Sequence, residues 1–248
     1  MKQIEKISAL KFKNNEKQEL EEKIVVDTTI NLFINSTFIS SFSTLNDSLK
    51  EFAIGYLLGQ SYINLIDEIE DIVIDGTNID ITINNDLNNN ETLLCSDASG
   101  GLRKKLNVPI HIDSNLIVDS KELITNMEKL TNNANIWKAT GGTHVAALVS
   151  NDKFILKEDV SRHVGVDKVI GAGALKGVDF NNSYIIYSGR MPADMVIKLN
   201  RVGIPLIASN AAPAYSGFSI VKKSNMTMVG FLRGNNFNVY GNYDRIKF

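Results

Sequence analysis

The chain predicts an α/β protein with a back half organised on parallel strands and a smaller front half built from hairpins. Three observations carry this expectation. From Tyr184 onward, β-like runs alternate with helix-like runs over short connections, which makes neighbouring strands parallel and joins them by crossovers. Two of those helix-like runs open on Pro192 and Pro213, where the missing N–H of proline costs a helix nothing. Before residue 112, apolar residues alternate on either side of short polar turns, the pattern of β-hairpins.

Taken in order, residues 1–23 are charged and weakly patterned, and predict a loose arm or edge segment. Ile30, Leu32 and Ile34 alternate, and Asn35-Ser36 can turn the chain into a second strand over Thr37–Phe42. Ser48-Leu-Lys-Glu51 has the spacing of a capping box, and Leu49, Phe52, Ala53, Tyr56 and Leu57 then fall on one helical face. Ile69–Ile74 and Ile79–Ile83 flank Asp75-Gly76-Thr77-Asn78 as a second hairpin. Asn84–Asn90 is low-complexity and predicts an exposed loop.

Beyond it, Ser120 can cap a helix bearing Leu123, Ile124, Met127 and Leu130. Val145–Val149 and Phe154–Leu156 read as strands, and a helix spans about Val166 to Leu175. The remainder is strand Tyr184–Tyr187, helix Pro192–Arg201, strand Ile204–Ala208, helix Pro213–Lys223, strand Met226–Leu232 and an edge strand over Phe237–Tyr240. Pro109 and Asp113-Ser114-Asn115 suit a linker, so the expected domains are residues 1–112 and 113–248.

The 248 residues hold 26 basic and 28 acidic side chains. That balance offers no global field for nucleic acid or an anionic membrane. No apolar run approaches the roughly 20 residues of a membrane helix, and the N-terminus lacks a signal-peptide apolar segment. A single cysteine excludes an internal disulfide framework and suits a reducing compartment. The expectation is a cytoplasmic protein with neither nucleic-acid nor membrane partners.

Candidate chemistry gathers at turns. In a parallel sheet the ends of strands share one edge, where α/β proteins hold ligands. Ser188-Gly-Arg190, Ser209-Asn210 and Arg233-Gly234 all follow predicted strands. Free N–H groups at a helix start and a forked Arg190 guanidinium favour phosphate, so a nucleotide-sized anion is the expected guest. Ordinary turn residues, with Arg190 in a surface ion pair, are the alternative.

Glu158, Asp159, Arg162, His163 and Asp167 are spaced to pair along one face if helical. With His144 they either lock a loop as a buried network or touch a ligand and move protons. Zinc is not expected, because one cysteine and three scattered histidines supply no ligand set. Cys95 precedes the small-residue run Ser96–Gly101 and lies near Arg103, Lys104 and Lys105, which favour a thiolate. It is either a nucleophile on a swinging loop or a small buried hydrophobe.

Several of these motifs, in register, resemble the FdhD family of formate dehydrogenase accessory proteins. They are Thr140-Gly-Gly-Thr-His144, Glu158-Asp159, Arg162-His163, Asp167-Lys-Val-Ile-Gly171, Ser188-Gly-Arg190 with Met195-Val196, Pro213, and Gly230-Phe231 with Arg233. Phe52–Leu58 is similar to the family's N-terminal helix motif, and the likeness runs over about residues 30–240. It implies a cytidine-deaminase-like three-layer α/β core without zinc, working as a homodimer.

The same resemblance implies a sulfurtransferase that takes sulfur from a cysteine desulfurase. The sulfur passes to the molybdenum (or tungsten) of a bis-molybdopterin guanine dinucleotide, bound as substrate, for formate dehydrogenase. Cys95 would carry the persulfide. Phe231, Leu232, Arg233, Gly234, Asn235 and Asn236 would hold the cofactor, with Arg190 and His163 added from the reading of the turns.

Departures from the family pattern are specific. Its C-x-x-C is Cys95-Ser-Asp-Ala98 here, so the second thiol is absent. Ser161, Val164 and Gly165 replace its Gly, Asn and Ala around the histidine motif. Pro192 replaces a serine, and Ala211-Ala-Pro-Ala214 stands for Ser-Ala-Pro-Thr. A non-catalytic cofactor-binding chaperone is the rival reading, and a nucleotide hydrolase a weaker one.

Overall fold

The computed structural model describes residues 2–84, 90–94, 100–104 and 109–248, with the side chains of 90–94 and 100–104 excepted. The first two strands, β1 (Ile4–Lys13) and β2 (Glu16–Val25), pair antiparallel along their full lengths. The expected loose arm is therefore a ribbon. Asn14 and Asn15 both take positive φ, 52° and 64°, the conformation of a two-residue hairpin turn. Most side chains on the ribbon are exposed, so the backbone ladder forms without the apolar alternation that announces a strand.

The two expected hairpins are present. β3 (Thr28–Ile34) and β4 (Thr37–Thr44) turn at Asn35 and Ser36, with φ of 49° and 61°. Helix α1 (Leu49–Gly59) follows, then β5 (Ile69–Asp75) and β6 (Asn78–Ile83). The four strands form one sheet in the order β4-β3-β6-β5. The capping box at α1 does not form. Ser48 sits in the left-handed region, and its hydroxyl accepts from Lys157 Nζ at 2.7 Å while Glu51 pairs with the same ammonium at 3.3 Å.

β7 (Asn90–Leu94) and β8 (Gly100–Lys104) make a further antiparallel pair. Cys95, and residues 85–89 of the low-complexity stretch, lie outside the described residues.

The back half begins with β9 (Val118–Asp119), α2 (Ser120–Asn132) and α3 (Asn135–Thr140). Asp119 rather than Ser120 caps α2, accepting from the Lys121 N–H at 2.8 Å. Next come β10 (His144–Val149), β11 (Phe154–Asp159), α4 (Arg162–Leu175) and β12 (Tyr184–Tyr187). Then α5 (Ala193–Arg201), β13 (Leu206–Ser209), α6 (Tyr215–Ser224), β14 (Thr227–Arg233), β15 (Asn236–Gly241) and β16 (Ile246–Lys247) complete the chain. α4 starts four residues before the expected Val166, because Ser161 accepts from the Val164 N–H and caps it there.

The main sheet runs β11-β10-β12-β13-β14-β15. β12, β13 and β14 are parallel, as their alternation with helices requires, and the other pairs are antiparallel. One face, bearing Val145, Ala147, Ile186 and Val229, packs on Leu123, Met127 and Leu130 of α2. The other, bearing Leu148, Ile185, Tyr187 and Met228, packs on α4, α5 and α6. This is a three-layer α/β arrangement.

On the outer side of α4 lies α1, buried along nearly all its residues, followed by the four-stranded sheet through Ile30, Leu32, Ile79 and Ile81. One apolar core thus contains residues from both sides of position 112. The connection between the halves is pinned as well. The Asn200 amide brackets Ile110, accepting from its N–H at 2.8 Å and donating to its carbonyl at 2.7 Å. Among the described residues, no helix is long and apolar enough to cross a membrane.

Candidate functional site

Turns that follow the parallel strands are bonded to one another along a single edge. After β12, the Ser188 hydroxyl accepts from the Val145 N–H at 3.0 Å and lies 3.3 Å from His144 Nδ1. After β13, Ser209 donates to the Gly189 carbonyl at 2.7 Å. From β14, Arg233 Nε donates to the Asn210 carbonyl at 2.8 Å, and the Phe231 N–H to the Ala211 carbonyl at 3.1 Å. Each turn is held by the next, which is how residues far apart in sequence share one rim.

Two local features make these turns possible. A methyl group on Gly189 would sit 2.7 Å from the Tyr187 ring, so only glycine lets the chain pass. At β14 a bulge interrupts the register between Gly230 and Arg233, with Phe231 at φ 56°. The extra residue sends Leu232 into the core at 1% exposure and leaves Phe231 and Arg233 outside.

Along this rim runs a groove in three sections. The central hollow, about 370 Å³, has apolar walls from Leu130, Ala134, Trp137, Val145 and Val160, and polar atoms from Thr143, His144, Ser188 and Asn210. Thr131 and Asn210 are shared with a second hollow of about 260 Å³, lined also by Glu128, Leu232, Arg233 and Gly234. His144 and Val160 are shared with a third, of about 340 Å³, which takes in Ser41–Ser43, Ser161 and Arg162. His144 therefore stands at a junction.

Burial lowers the pKa of His144, and the nearby Arg162 charge lowers it further; the imidazole is neutral at pH 7. Tyr187 is pushed well above the usual phenol range by burial, and its hydroxyl donates to the Arg190 carbonyl. Glu128 shares the second hollow with Arg233, so charge there is balanced rather than purely cationic.

The expected site residues divide. Leu232, Arg233 and Gly234 line the groove, and Phe231 stands beside it, 41% exposed. Asn235 and Asn236 are exposed at the turn into β15, beyond the lining. Arg190 is exposed at the same edge but does not line the three hollows. His163 is buried in α4, with Nε2 3.4 Å from the Asp194 carboxylate, and its ring is outside the lining. Cys95 is outside the described residues.

The acidic and basic residues around His163 do not pair along one helix. Glu158 and Asp159 end a strand, so the helical spacing does not apply to them. Glu158 caps α3 instead, accepting from the N–H groups of Ile136 at 2.9 Å and Trp137 at 2.7 Å, and from the Thr143 hydroxyl at 2.9 Å. Asp159 meets Lys168 Nζ at 2.7 Å and the Thr44 hydroxyl at 2.6 Å, and Asp167 meets Lys198 at 2.6 Å. Burial raises the Asp159 pKa, opposed chiefly by the Lys168 charge. Asp159, Asp167, Lys168 and Lys198 are all buried, so these ion pairs lie inside the core.

Sequence reasoning missed Trp137 and Glu128. The available signal for Trp137 was a lone tryptophan three residues before a Thr-Gly-Gly turn. For Glu128 there was none, since it reads as a solvated position on an amphipathic helix.

Fold and site together define an α/β protein with a groove at the carboxyl ends of its parallel strands. Among the described residues, no group of three or more His, Cys, Asp or Glu side chains is arranged to hold a metal ion. The family model of the FdhD/NarQ family matches residues 25–247, and the chain belongs to that family. It is 44% identical over 235 residues to the "Sulfur carrier protein FdhD" of Methanothermobacter thermautotrophicus, covering 94% of this chain and 95% of the relative.

Likeness to "Protein FdhD" of Methanocaldococcus jannaschii is 31% over 239 residues, 96% of each chain. A crystal structure of a formate dehydrogenase accessory protein from Desulfotalea psychrophila superposes with a TM-score of 0.85 at 25% identity, over 99% of this chain and 100% of that one.

Proposed function

We propose that this protein is a sulfur carrier for formate dehydrogenase, acting in the cytoplasm as a homodimer. Its substrate is a molybdenum or tungsten bis-molybdopterin guanine dinucleotide. The observation that supports this most is the pair of adjoining hollows in an FdhD/NarQ family member, one lined by Leu232–Gly234 and the other by His144, with Thr131 and Asn210 common to both. Arg233 and the turn backbone suit the diphosphate, while neutral His144 suits an acceptor or donor beside the reacting centre.

In the chemical sequence, the Cys95 thiolate attacks the outer sulfur of a cysteine desulfurase persulfide. The S–S bond of that persulfide breaks, the desulfurase thiolate leaves, and Cys95 holds the sulfane sulfur as its own persulfide. Release of this sulfur as sulfide consumes two electrons. Ala98 stands where a second thiol would supply them by closing a disulfide, so the electrons come from an external thiol reductant or from the metal cofactor.

Mass spectrometry of the protein after incubation with a cysteine desulfurase and cysteine tests this reading. The expected result is a gain of one sulfur atom on Cys95, consumed when the cofactor is added. A Cys95→Ser protein that still matures formate dehydrogenase fully would overturn it. The absence of the second thiol favours one rival, a chaperone that binds the cofactor and carries no sulfur; tight nucleotide binding with an unmodified Cys95 would be its signature.

A further inference from the structure

We infer that β1 is the contact strand between two copies of this chain. The β1 edges pair antiparallel about a two-fold axis at Ser8 and join two ribbons into one four-stranded sheet. The inference goes beyond the sulfur-carrier reading and rests only on the homodimer stated with it.

The β1–β2 ribbon stands apart from the rest of the molecule. All of it except Val25 lies ahead of residues 25–247, which the family model matches. Its strands pair with each other alone, and a lone two-stranded sheet is marginally stable in water. Leu10 and Phe12 are 61% and 66% exposed on it. At its base β2 abuts the body, where a methyl group on Gly142 would sit 2.5 Å from Val25 Cγ1.

The turn fixes which backbone groups face outward. A two-residue loop at Asn14-Asn15 makes Lys13 and Glu16 a hydrogen-bonded pair, and such pairs alternate along the ladder. The Val26 N–H, donating to the Gln3 carbonyl at 2.9 Å, keeps the same phase at the base. The N–H and C=O groups of Ile4, Lys6, Ser8, Leu10 and Phe12 therefore point away from β2. Among the described residues these groups have no partner.

The two edges differ. On β2 the outward positions are Lys17, Glu19, Glu21 and Lys23, all charged, and then Val25 at the base. Charges of that kind guard an open edge against pairing. On β1 the outward set holds one charge, Lys6, already tied to Glu21 at 2.5 Å. The unguarded edge is β1.

Its sequence is complementary to itself about Ser8. In that register Phe12 lies opposite the partner's Ile4, Ala9 opposite the partner's Ile7, and Lys11 opposite the partner's Glu5. Symmetry repeats each pair, and apolar and opposite-charge pairs of this kind stabilise a sheet. Roughly ten backbone hydrogen bonds would join the copies, and no like charges face one another. An axis at Lys6 would set lysine against lysine, and one at Leu10 would run Glu5 and Lys6 onto the partner's Asn15 and Asn14. The contact uses the same surface on both copies, so it closes as a dimer.

Analytical ultracentrifugation of the full chain and its variants tests this. The natural chain should sediment as a dimer. Ser8→Pro removes an outward N–H and spares the bonds to β2, so the fold should survive while the dimer dissociates. Lys11→Glu and Glu5→Lys should each weaken the dimer roughly tenfold or more, and together restore it. In a Cys95→Ser background, oxidised glutathione should convert Ser8→Cys to a disulfide-linked dimer, because opposed residues of this kind lie about 5.5 Å apart between Cα atoms. A dimer unchanged by all these substitutions would overturn the assignment and leave a homodimer built on another face. A monomeric natural chain would overturn it together with the homodimer, while sulfur gain on Cys95 still judges the carrier reading separately. A monomer that loses formate dehydrogenase binding on Ser8→Pro would give the edge to that enzyme and overturn the assignment too.

Discussion

Gly55 of α1 and Gly171 of α4 face each other at the crossing of the two helices, closer than any side chain would allow. A methyl group on Gly55 would lie 1.8 Å from the Asp167 carbonyl oxygen, and one on Gly171 would lie 1.9 Å from the Glu51 carbonyl oxygen. This contact seats the front sheet and its helix on the back half. It brings Thr44 and Leu45 within hydrogen-bonding distance of Asp159.

Gly55→Ala and Gly171→Ala should each cost about 3 kcal/mol or more, because backbone cannot shift aside as a side-chain tip does. Gly177→Ala is a useful contrast. Its φ of 61° strains the substitution, but an added methyl meets nothing within 4 Å, so the loss should stay near 1 kcal/mol. Urea unfolding of the three variants measures the difference.

Lys168 is fully buried and bonded to Asp159, Asp47 and the Leu45 carbonyl. Lys168→Met strands the Asp159 carboxylate in the core and should cost about 3–5 kcal/mol. Adding Asp159→Asn should return part of that loss, since the uncompensated charge is then gone. A double variant as unstable as the sum of the two singles would show that the pair is not coupled.

The lowered pKa of His144 has a defined sign in the stability profile. The unfolded chain takes up this proton near pH 6.5, before the folded one does, so stability is full above that pH and falls as acid is added. The loss continues until the folded imidazole also protonates. His144→Gln should flatten the slope of unfolding free energy between about pH 6.5 and 5, and an NMR titration of the His144 ring should give a midpoint below that of an unfolded peptide.

Phe231 holds a bulky aromatic side chain at φ 56°, half in solvent. Left-handed backbone costs such a residue roughly 1–2 kcal/mol, offset in part by the extra freedom glycine gives the unfolded chain. Phe231→Gly should therefore be neutral to about 1 kcal/mol stabilising by this arithmetic. If the ring serves the groove, GDP affinity should fall in the same variant. Loss of stability without loss of binding would mark Phe231 as an ordinary packing residue.

Much of the back half was legible because its signals are local. Tyr184–Tyr187 matches β12, and proline-started helices, Gly203 beyond the end of α5 and the strand-like run into Leu232 fall within a residue or two of the observed elements. The β1–β2 ribbon escaped because its strands bury almost nothing, and backbone pairing leaves no mark on hydrophobic periodicity. Helix α3 escaped because its stability comes from Glu158, more than twenty residues along the chain.

The residues alone determined the parallel order of β12, β13 and β14, the family motifs and the edge where the turns gather, since short-range pattern and connection length govern these. Only the tertiary structure decided which of those turns enclose a space. Arg190 follows β12 and Arg233 ends β14, one strand apart in the same parallel set, yet one lies outside the groove and the other lines it. Burial, a single bulge and the approach of α2 and α3 separate them, and each arises from contacts between segments that no local pattern records.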